Sequence, residues 1–334
     1  MNDKGIAVLE QYGIQVKKSS RAKGAFLLDT DNGYYLIKEF RGTVKHLELE
    51  ERLLKEVSDN SSLYVDYPIR NKAGNLLSED LDGTKYILKK WYLAKDCEVR
   101  NVQMLYKAVS ALAVFHNTSA EFMKMEDKEN DEKNFNAVKV LSEEFEKHNR
   151  ELRRCRNFIR RKNRKNEFEL MVLNSFNRFY DRAAALASEC SVESYVEMAK
   201  KAADKGSMIH GAFNYHNILL CDDGAFLTNF EHCKSDIQMK DLYDFLRKVM
   251  EKHGWNRELG HKLISEYSKV RKISNTELNF LRICLSYPEK YWKILSHYYN
   301  SGKAWIPDKD IEKLKTVIRQ DGDREKFIHS LSDL

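Results

Sequence analysis

Proline is scarce in this chain of 334 residues: Pro68, Pro288 and Pro307 are the three that occur. Long helices are therefore expected, chiefly after residue 100, because proline is the residue that removes a helix donor and clashes with the preceding turn. Paired cysteines are lacking as well. Cys97, Cys155, Cys190, Cys221, Cys233 and Cys284 are scattered with no CxxC among them. That argues against a disulfide framework or a structural zinc site, and for reduced, mostly buried thiols. No apolar run approaches the roughly 20 residues that cross a bilayer, and 32% of residues are charged, so no membrane span is expected. The opening Met1-Asn2-Asp3-Lys4-Gly5 lacks the charged-then-apolar order of a secretory signal, so a cytosolic protein is expected. The motifs GxSxG and HExxH and the Walker loop are missing too, which leaves hydrolase and P-loop chemistry without a foothold.

What is present is the composition of a folded protein, 42% apolar and 11% aromatic, in a chain long enough for two lobes. The formal net charge is +6, and much of it lies between Lys147 and Lys165, where ten Lys/Arg face Glu151 alone. An acidic partner, nucleic acid included, would suit such a stretch. Leu152, Phe158 and Ile159 give it an apolar stripe, however, so the plainer account is a helix lying on a domain with its basic side chains in water. No zinc finger or RNA-binding motif accompanies the charge, and a nucleic-acid partner is not expected.

Residues 1–90 read as a small sheet carrying one helix. Ala25 to Thr30 and Tyr34 to Lys38 flank Asp31-Asn32-Gly33, a strong hairpin signal. Val44 to Val57 places Leu47, Leu53, Leu54 and Val57 on one helical face. Asn75-Leu76-Leu77 and Tyr86-Ile87-Leu88 read as strands on either side of Asp82-Gly83. From residue 91 to 334 the pattern is mainly helical, over 102–117, 135–164, 167–187, 192–205 and from Asp241 onward. Residues 119–134 are acidic and polar and read as a loop. The expected class is thus α+β, with a small lobe over 1–90 and a larger helical lobe over 91–334. For the aromatic-rich stretch from Tyr287 to Trp305, packing is the default reading and a ring-stacking sugar platform the lesser one.

Chemistry concentrates in residues 208–231. Met208 to Phe230 reads as strand, turn and strand, with His210 and Gly211 at its start, Asn217 seven residues after the His, and Asn229-Phe230-Glu231 at its end. This segment and the overall plan resemble the protein-kinase-like bilobal fold of aminoglycoside and choline phosphotransferases. Within that fold the chain is similar to the spore coat CotS family. The residues that carry the resemblance span nearly the whole chain: Tyr86 to Tyr92, Ser110 to His116, Ile209 to Asn217, Thr228 to Cys233 and Ser286 to Trp292, with Tyr298, Tyr299 and Trp305 after them. Asp241-Leu242 matches a structural pair at the start of the next helix, where an Asp caps well.

The resemblance implies roles for individual residues. A small-lobe lysine pairs nucleotide phosphates and is held by a helix glutamate; Lys38 and Glu50 are the expected pair, with Glu48 and Glu51 as competing neighbours. A glycine-rich loop should precede Lys38, yet Ser19-Ser20-Arg21-Ala22-Lys23-Gly24-Ala25 offers Gly24 alone. The catalytic loop keeps His210, Gly211 and Asn217, but the general base, worth ~10²–10⁴ in rate, is replaced by Ala212. His210 is expected to be structural, and His216 is the nearest substitute base. The metal-binding Asp before Phe230 is replaced by Asn229. Mg²⁺ prefers charged oxygen ligands; Asn217 supplies an amide, and Glu231, two residues beyond Asn229, is the carboxylate left to share in ATP or Mg²⁺ binding.

The resulting expectation is a kinase-like spore coat protein with impaired catalysis, a pseudokinase serving as a structural or binding component. Its implied partners are other coat proteins or a small-molecule or polysaccharide ligand. The family implies synthesis in the mother-cell cytoplasm and deposition on the coat. The alternative is an active ATP-dependent phosphotransferase on a small-molecule or sugar hydroxyl, with Glu231, and His216 or Asp222, in place of the missing acids.

Overall fold

The structure, a computed structural model, describes residues 8–22, 24–125, 141–190, 197–198, 200–201, 207–301 and 308–333. Lys23, Trp305, most of the expected helix 192–205 and the greater part of the acidic loop lie outside the described residues. The chain forms two compact units. One comprises residues 1–133, 205–234 and 266–272; the other comprises 134–204, 235–265 and 273–334.

The first unit is built on a six-stranded antiparallel sheet. Strands β1 (Val16–Ala22), β2 (Ala25–Thr30) and β3 (Gly33–Glu39) form consecutive hairpins. Gly33 closes the second turn at φ +103°, a region open to glycine at little cost. Helix α1 (Val44–Asn60) comes next, its N-terminus capped by the Thr43 side chain on the His46 N–H. Short strands β4 (Tyr64–Val65), β5 (Pro68–Ile69) and β6 (Ser78–Glu79) lead to β7 (Lys85–Trp91), which pairs with β3, β5 and β6. Strand β8 (Lys95–Asp96), helix α2 (Val102–Met125), β9 (Met208–Ile209), β10 (Ile218–Cys221) and β11 (Gly224–Leu227) complete the strands and helix that position the site. Strands β10 and β11 form the expected hairpin, with Ile218 opposite Leu227 and Cys221 opposite Gly224. Parallel pairing of β11 with β4 and antiparallel pairing of β10 with β8 extend it to four strands.

Three expectations change. The stretch expected to be a phosphate loop, Ser19 to Ala22, is strand: Ser19 lies opposite Leu28 and Arg21 opposite Phe26. Its sequence shows no alternation because β1 is exposed along nearly its whole length at the sheet edge. Asn75 to Leu77 do not form a strand. Asn71 organises that stretch as a turn, its Oδ1 accepting the N–H groups of Ala73 and Asn75 at 3.0 Å each. Residues 119–125, expected in the loop, continue α2, where Ser119 and Phe122 are buried.

The second unit is helical: α3 (Leu141–Arg161), α4 (Glu167–Glu189), α5 (Met239–Lys252), α6 (Arg257–Val270, its last five residues belonging to the first unit), α7 (Asn275–Ser286), α8 (Glu289–Asn300) and α9 (Asp308–His329). The first part of the aromatic stretch is core here, while Tyr299 is exposed. Tyr287 stacks on Phe145 at 3.9 Å and Tyr291 on Phe179 at 4.2 Å, and both tyrosines are buried. Their faces are therefore taken by protein rings and not open to a sugar. The six cysteines are free thiols, all buried except the half-buried Cys221. Among the described residues, no helix is long and apolar enough to cross a membrane.

Candidate functional site

One face of the sheet collects the chemistry. Leu36 lies opposite Lys89, Lys38 opposite Ile87, and Tyr34 opposite Trp91. Paired residues on antiparallel strands project to the same side, so Lys38 and Lys89 share a face. Helix α1 covers part of it through Leu47, which packs with Ile87 and Leu76. The hairpin covers another part, Leu219 and Phe226 packing on Leu36 and Trp91. This arrangement brings the helix carboxylate of Glu50 down onto Lys89.

The expected Lys38–Glu50 pair is replaced by a different one. Glu50 is 3% exposed and accepts from Lys89 Nζ at 2.6 Å, and the same ammonium donates to Asp66 Oδ2 at 3.2 Å. Lys89 is 1% exposed. Burial alone would lower its pKa, but Asp66 and Glu50 outweigh burial and hold the ammonium above the ordinary lysine value. Asp66 is pushed up by burial, with Lys89 acting against it. Its Oδ2 also accepts the backbone N–H of Asn229 at 3.0 Å, while Oδ1 is buried with no partner among the described residues. Glu51, the competing neighbour, is held by Arg70 and Lys55. Sequence reasoning missed Lys89 and Asp66. Residues 86–91 carry apolar side chains on both alternating faces, so parity could not say which lysine turns inward; the buried carboxylates decide it.

Lys38 pairs with Glu231. The two candidate residues are thus brought together from positions 193 apart in sequence. Burial and the like charge of Lys89 lower the Lys38 pKa, with Asp66 and Glu50 opposing. The pair is partly open to solvent, with Lys38 25% and Glu231 41% exposed.

The loop before the hairpin, which the resemblance singled out, is tightly ordered. Gly211 sits at φ +75°, and a Cβ there would lie 2.1 Å from the His232 carbonyl oxygen, so glycine is required. His210 is fully buried. Its Nε2 lies 3.0 Å from the Thr228 carbonyl, and its Nδ1 accepts the Ala212 N–H at 3.2 Å. One nitrogen therefore donates and the other accepts: a neutral imidazole committed to structure, as expected. The Ala212 carbonyl accepts from Asn214 Nδ2 at 2.7 Å and from Asn217 Nδ2 at 2.9 Å. Its methyl offers no proton acceptor at the base position. His216 lies on a short 3₁₀ turn, exposed, with its ring against Tyr215 at 4.3 Å. Asn229 adopts a left-handed conformation, φ 71° and ψ 57°. Asn and Asp both tolerate that region, so either residue suits this backbone.

This donor set does not fit Mg²⁺ well. The Asn217 amide group is anchored on Ala212, Asn229 is neutral, and Glu231 is engaged by Lys38. No group of three or more His, Cys, Asp or Glu able to hold a metal occurs among the described residues. A small, highly charged ion that surrenders its waters reluctantly needs more charge than one engaged carboxylate.

Two further candidates fall in the second unit. Asp241, expected to cap α5, lies in its first turn, behind Gln238 at the cap position; an acid there suits the positive end of the helix. The basic stretch occupies the C-terminal part of α3 and runs past its end to Lys165. Leu152, Cys155 and Ile159 are buried, while Arg153, Arg154, Arg160, Arg161 and Arg164 are exposed and make no ion pair among the described residues. That is the solvated face expected.

Solved structures share the architecture. An aminoglycoside phosphotransferase from Alicyclobacillus acidocaldarius, 17% identical, matches with a TM-score of 0.84 over 98% of this chain and 95% of that one. A spectinomycin phosphotransferase in complex with ADP and spectinomycin is 15% identical, with a TM-score of 0.62 over 99% and 98%. An amicoumacin kinase with AMP-PNP and Ca²⁺ is 13% identical, with a TM-score of 0.57 over 96% and 92%. These likenesses establish a protein-kinase-like fold of the aminoglycoside phosphotransferase kind. No curated protein sequence matched. The family described as "Spore coat putative kinase YutH" matches residues 6–331: the chain belongs to this family of CotS-like spore coat kinases.

Proposed function

We propose that this chain is a pseudokinase of the spore coat, a kinase-fold protein that acts by binding and not by phosphoryl transfer. The observation that carries the reading is Ala212. A methyl group stands where a carboxylate would take the acceptor's proton, on a loop whose backbone is otherwise kept in order by Gly211, Asn214 and Asn217. Asn229 supports it by removing the second carboxylate while keeping the backbone conformation that position requires. Its partners on this reading are other coat proteins, or a small-molecule or polysaccharide ligand. Synthesis in the mother-cell cytoplasm precedes deposition on the coat. Lys38 is retained on the inward face of the sheet, and related folds have been solved with ADP and AMP-PNP; both favour residual nucleotide binding here.

A second reading, an active phosphotransferase on a small-molecule or sugar hydroxyl, draws on the Lys38–Glu231 contact, which holds a carboxylate beside the phosphate-pairing lysine. Purified protein incubated with ATP, Mg²⁺ and a panel of hydroxyl compounds separates the two. The pseudokinase reading expects no ATP consumption above background; consumption that disappears in Glu231→Gln establishes the second.

A further inference from the structure

We propose that Lys38 and Glu231 form a self-capped anion site that takes the polyphosphate of a nucleotide without a divalent metal ion, Glu231 being the internal competitor that the phosphates displace. The proposal rests on the pseudokinase reading and specifies what its site binds.

Charge accounting at the sheet face leads there. Glu50 would ordinarily neutralise and hold a phosphate-pairing lysine, but Lys89 has taken it at 2.6 Å, with Asp66 as a second partner at 3.2 Å. That triad is fully buried and closed to ligands. Lys38 is left to find another anion, and it finds Glu231. A carboxylate oxygen therefore occupies a donor direction of Lys38 that a phosphate oxygen would use, and both groups reach solvent, so the exchange needs no unfolding. Glu231 already shares its charge with Lys38 through Oε1, so it offers a metal less than a free carboxylate would. The remaining oxygens at Asn217 and Asn229 are neutral amides, so a divalent ion would find among these residues one shared carboxylate and no other charge, less than Mg²⁺ needs to give up its waters. Once phosphate is on Lys38, Glu231 is a negative charge beside a polyanion and opposes it. Removing that charge should therefore strengthen nucleotide binding. A Glu231 that served as a metal ligand would behave in the opposite way.

The test is titration calorimetry of the full chain with ATP, in EDTA and in Mg²⁺, on wild type, Glu231→Gln, Lys38→Met and the double variant. The proposal expects wild type to bind ATP in EDTA at least as tightly as in Mg²⁺. It expects Glu231→Gln to bind about fivefold more tightly in EDTA, the scale of releasing one partly exposed ion pair, and the gain to vanish when Lys38 is also replaced. Binding that appears with Mg²⁺ alone, binding weakened by Glu231→Gln, or no binding by any variant that keeps its wild-type thermal transition overturns it. Glu231→Gln is nearly isosteric at a partly exposed position, so loss of folding is not the expected outcome. ATP consumption measured on the same samples tests the pseudokinase reading separately, since turnover could appear whichever way the affinities fall.

Discussion

Lys89 sits fully buried between Glu50 and Asp66, and one ammonium thereby compensates two carboxylates that have no access to water. Removing one member of such a network strands the others. Lys89→Met should destabilise the protein by about 3–5 kcal/mol, whereas Lys38→Met, at a partly exposed pair, should cost less than ~1 kcal/mol; urea denaturation of both variants checks the contrast. Gly211→Ala should cost more than ~1 kcal/mol by the same measurement, since the positive φ and the His232 carbonyl both oppose a side chain. Glu289, in the second unit, supplies a pH dependence. Burial would raise its pKa, but Arg247 and Lys293 outweigh burial and bring it from 4.5 to about 2. A carboxylate with a depressed folded pKa contributes its full stability above the unfolded value and loses it as the pH falls through the folded one. Unfolding free energy measured from pH 6 down to pH 2 should therefore fall between pH 4.5 and 2, and Glu289→Gln should remove up to about 3 kcal/mol of that dependence.

At the scale of elements, what the sequence made legible tracks how strongly each element is patterned by burial. The β2–β3 hairpin and α1 were readable because a turn triplet and a one-sided apolar stripe mark them, and β10–β11 was readable from two apolar runs around Asp222-Asp223-Gly224. Strand β1 was not, because an exposed edge strand needs no alternation. The candidate site divides in the same way. Lys38, Asn217, Asn229 and Glu231 were candidates because the resemblance to a phosphotransferase pattern, carried within one segment or strand, implied them. The partners of Lys38 and Glu50 depend on pairing between β3 and β7 and on how α1 lies over them, which no local pattern encodes. Helix α3 is nearer the opposite case: its basic face is present in the fold and Leu152 and Ile159 of the expected stripe are buried, but Phe158 is exposed and Cys155 takes its place. Arg153→Glu with Arg154→Glu and Arg160→Glu should leave stability within about 0.5 kcal/mol per site, read from the thermal transition. A larger loss would mean that these side chains support the unit and are not simply solvated.

At the scale of the whole molecule, the protein has a phosphotransferase-like fold, with Ala212 and Asn229 at the two positions where the proposed reading looks for acids. Gly211, His210 and the Asn214 and Asn217 amides preserve the loop's shape, and Asn229 preserves the left-handed turn before Phe230. Phe230 packs between Phe115 and His210, at 5.3 and 4.4 Å, so the loop and the segment where the metal ligand would stand remain joined through a buried ring. Those contacts stabilise the fold whether or not chemistry takes place. The measurement that tests this most directly is the rate of γ-phosphate loss from ATP in Mg²⁺ with hydroxyl acceptors present, for wild type and Glu231→Gln side by side. The account predicts no rate above the protein-free control for either protein. A wild-type rate that Glu231→Gln abolishes would contradict it.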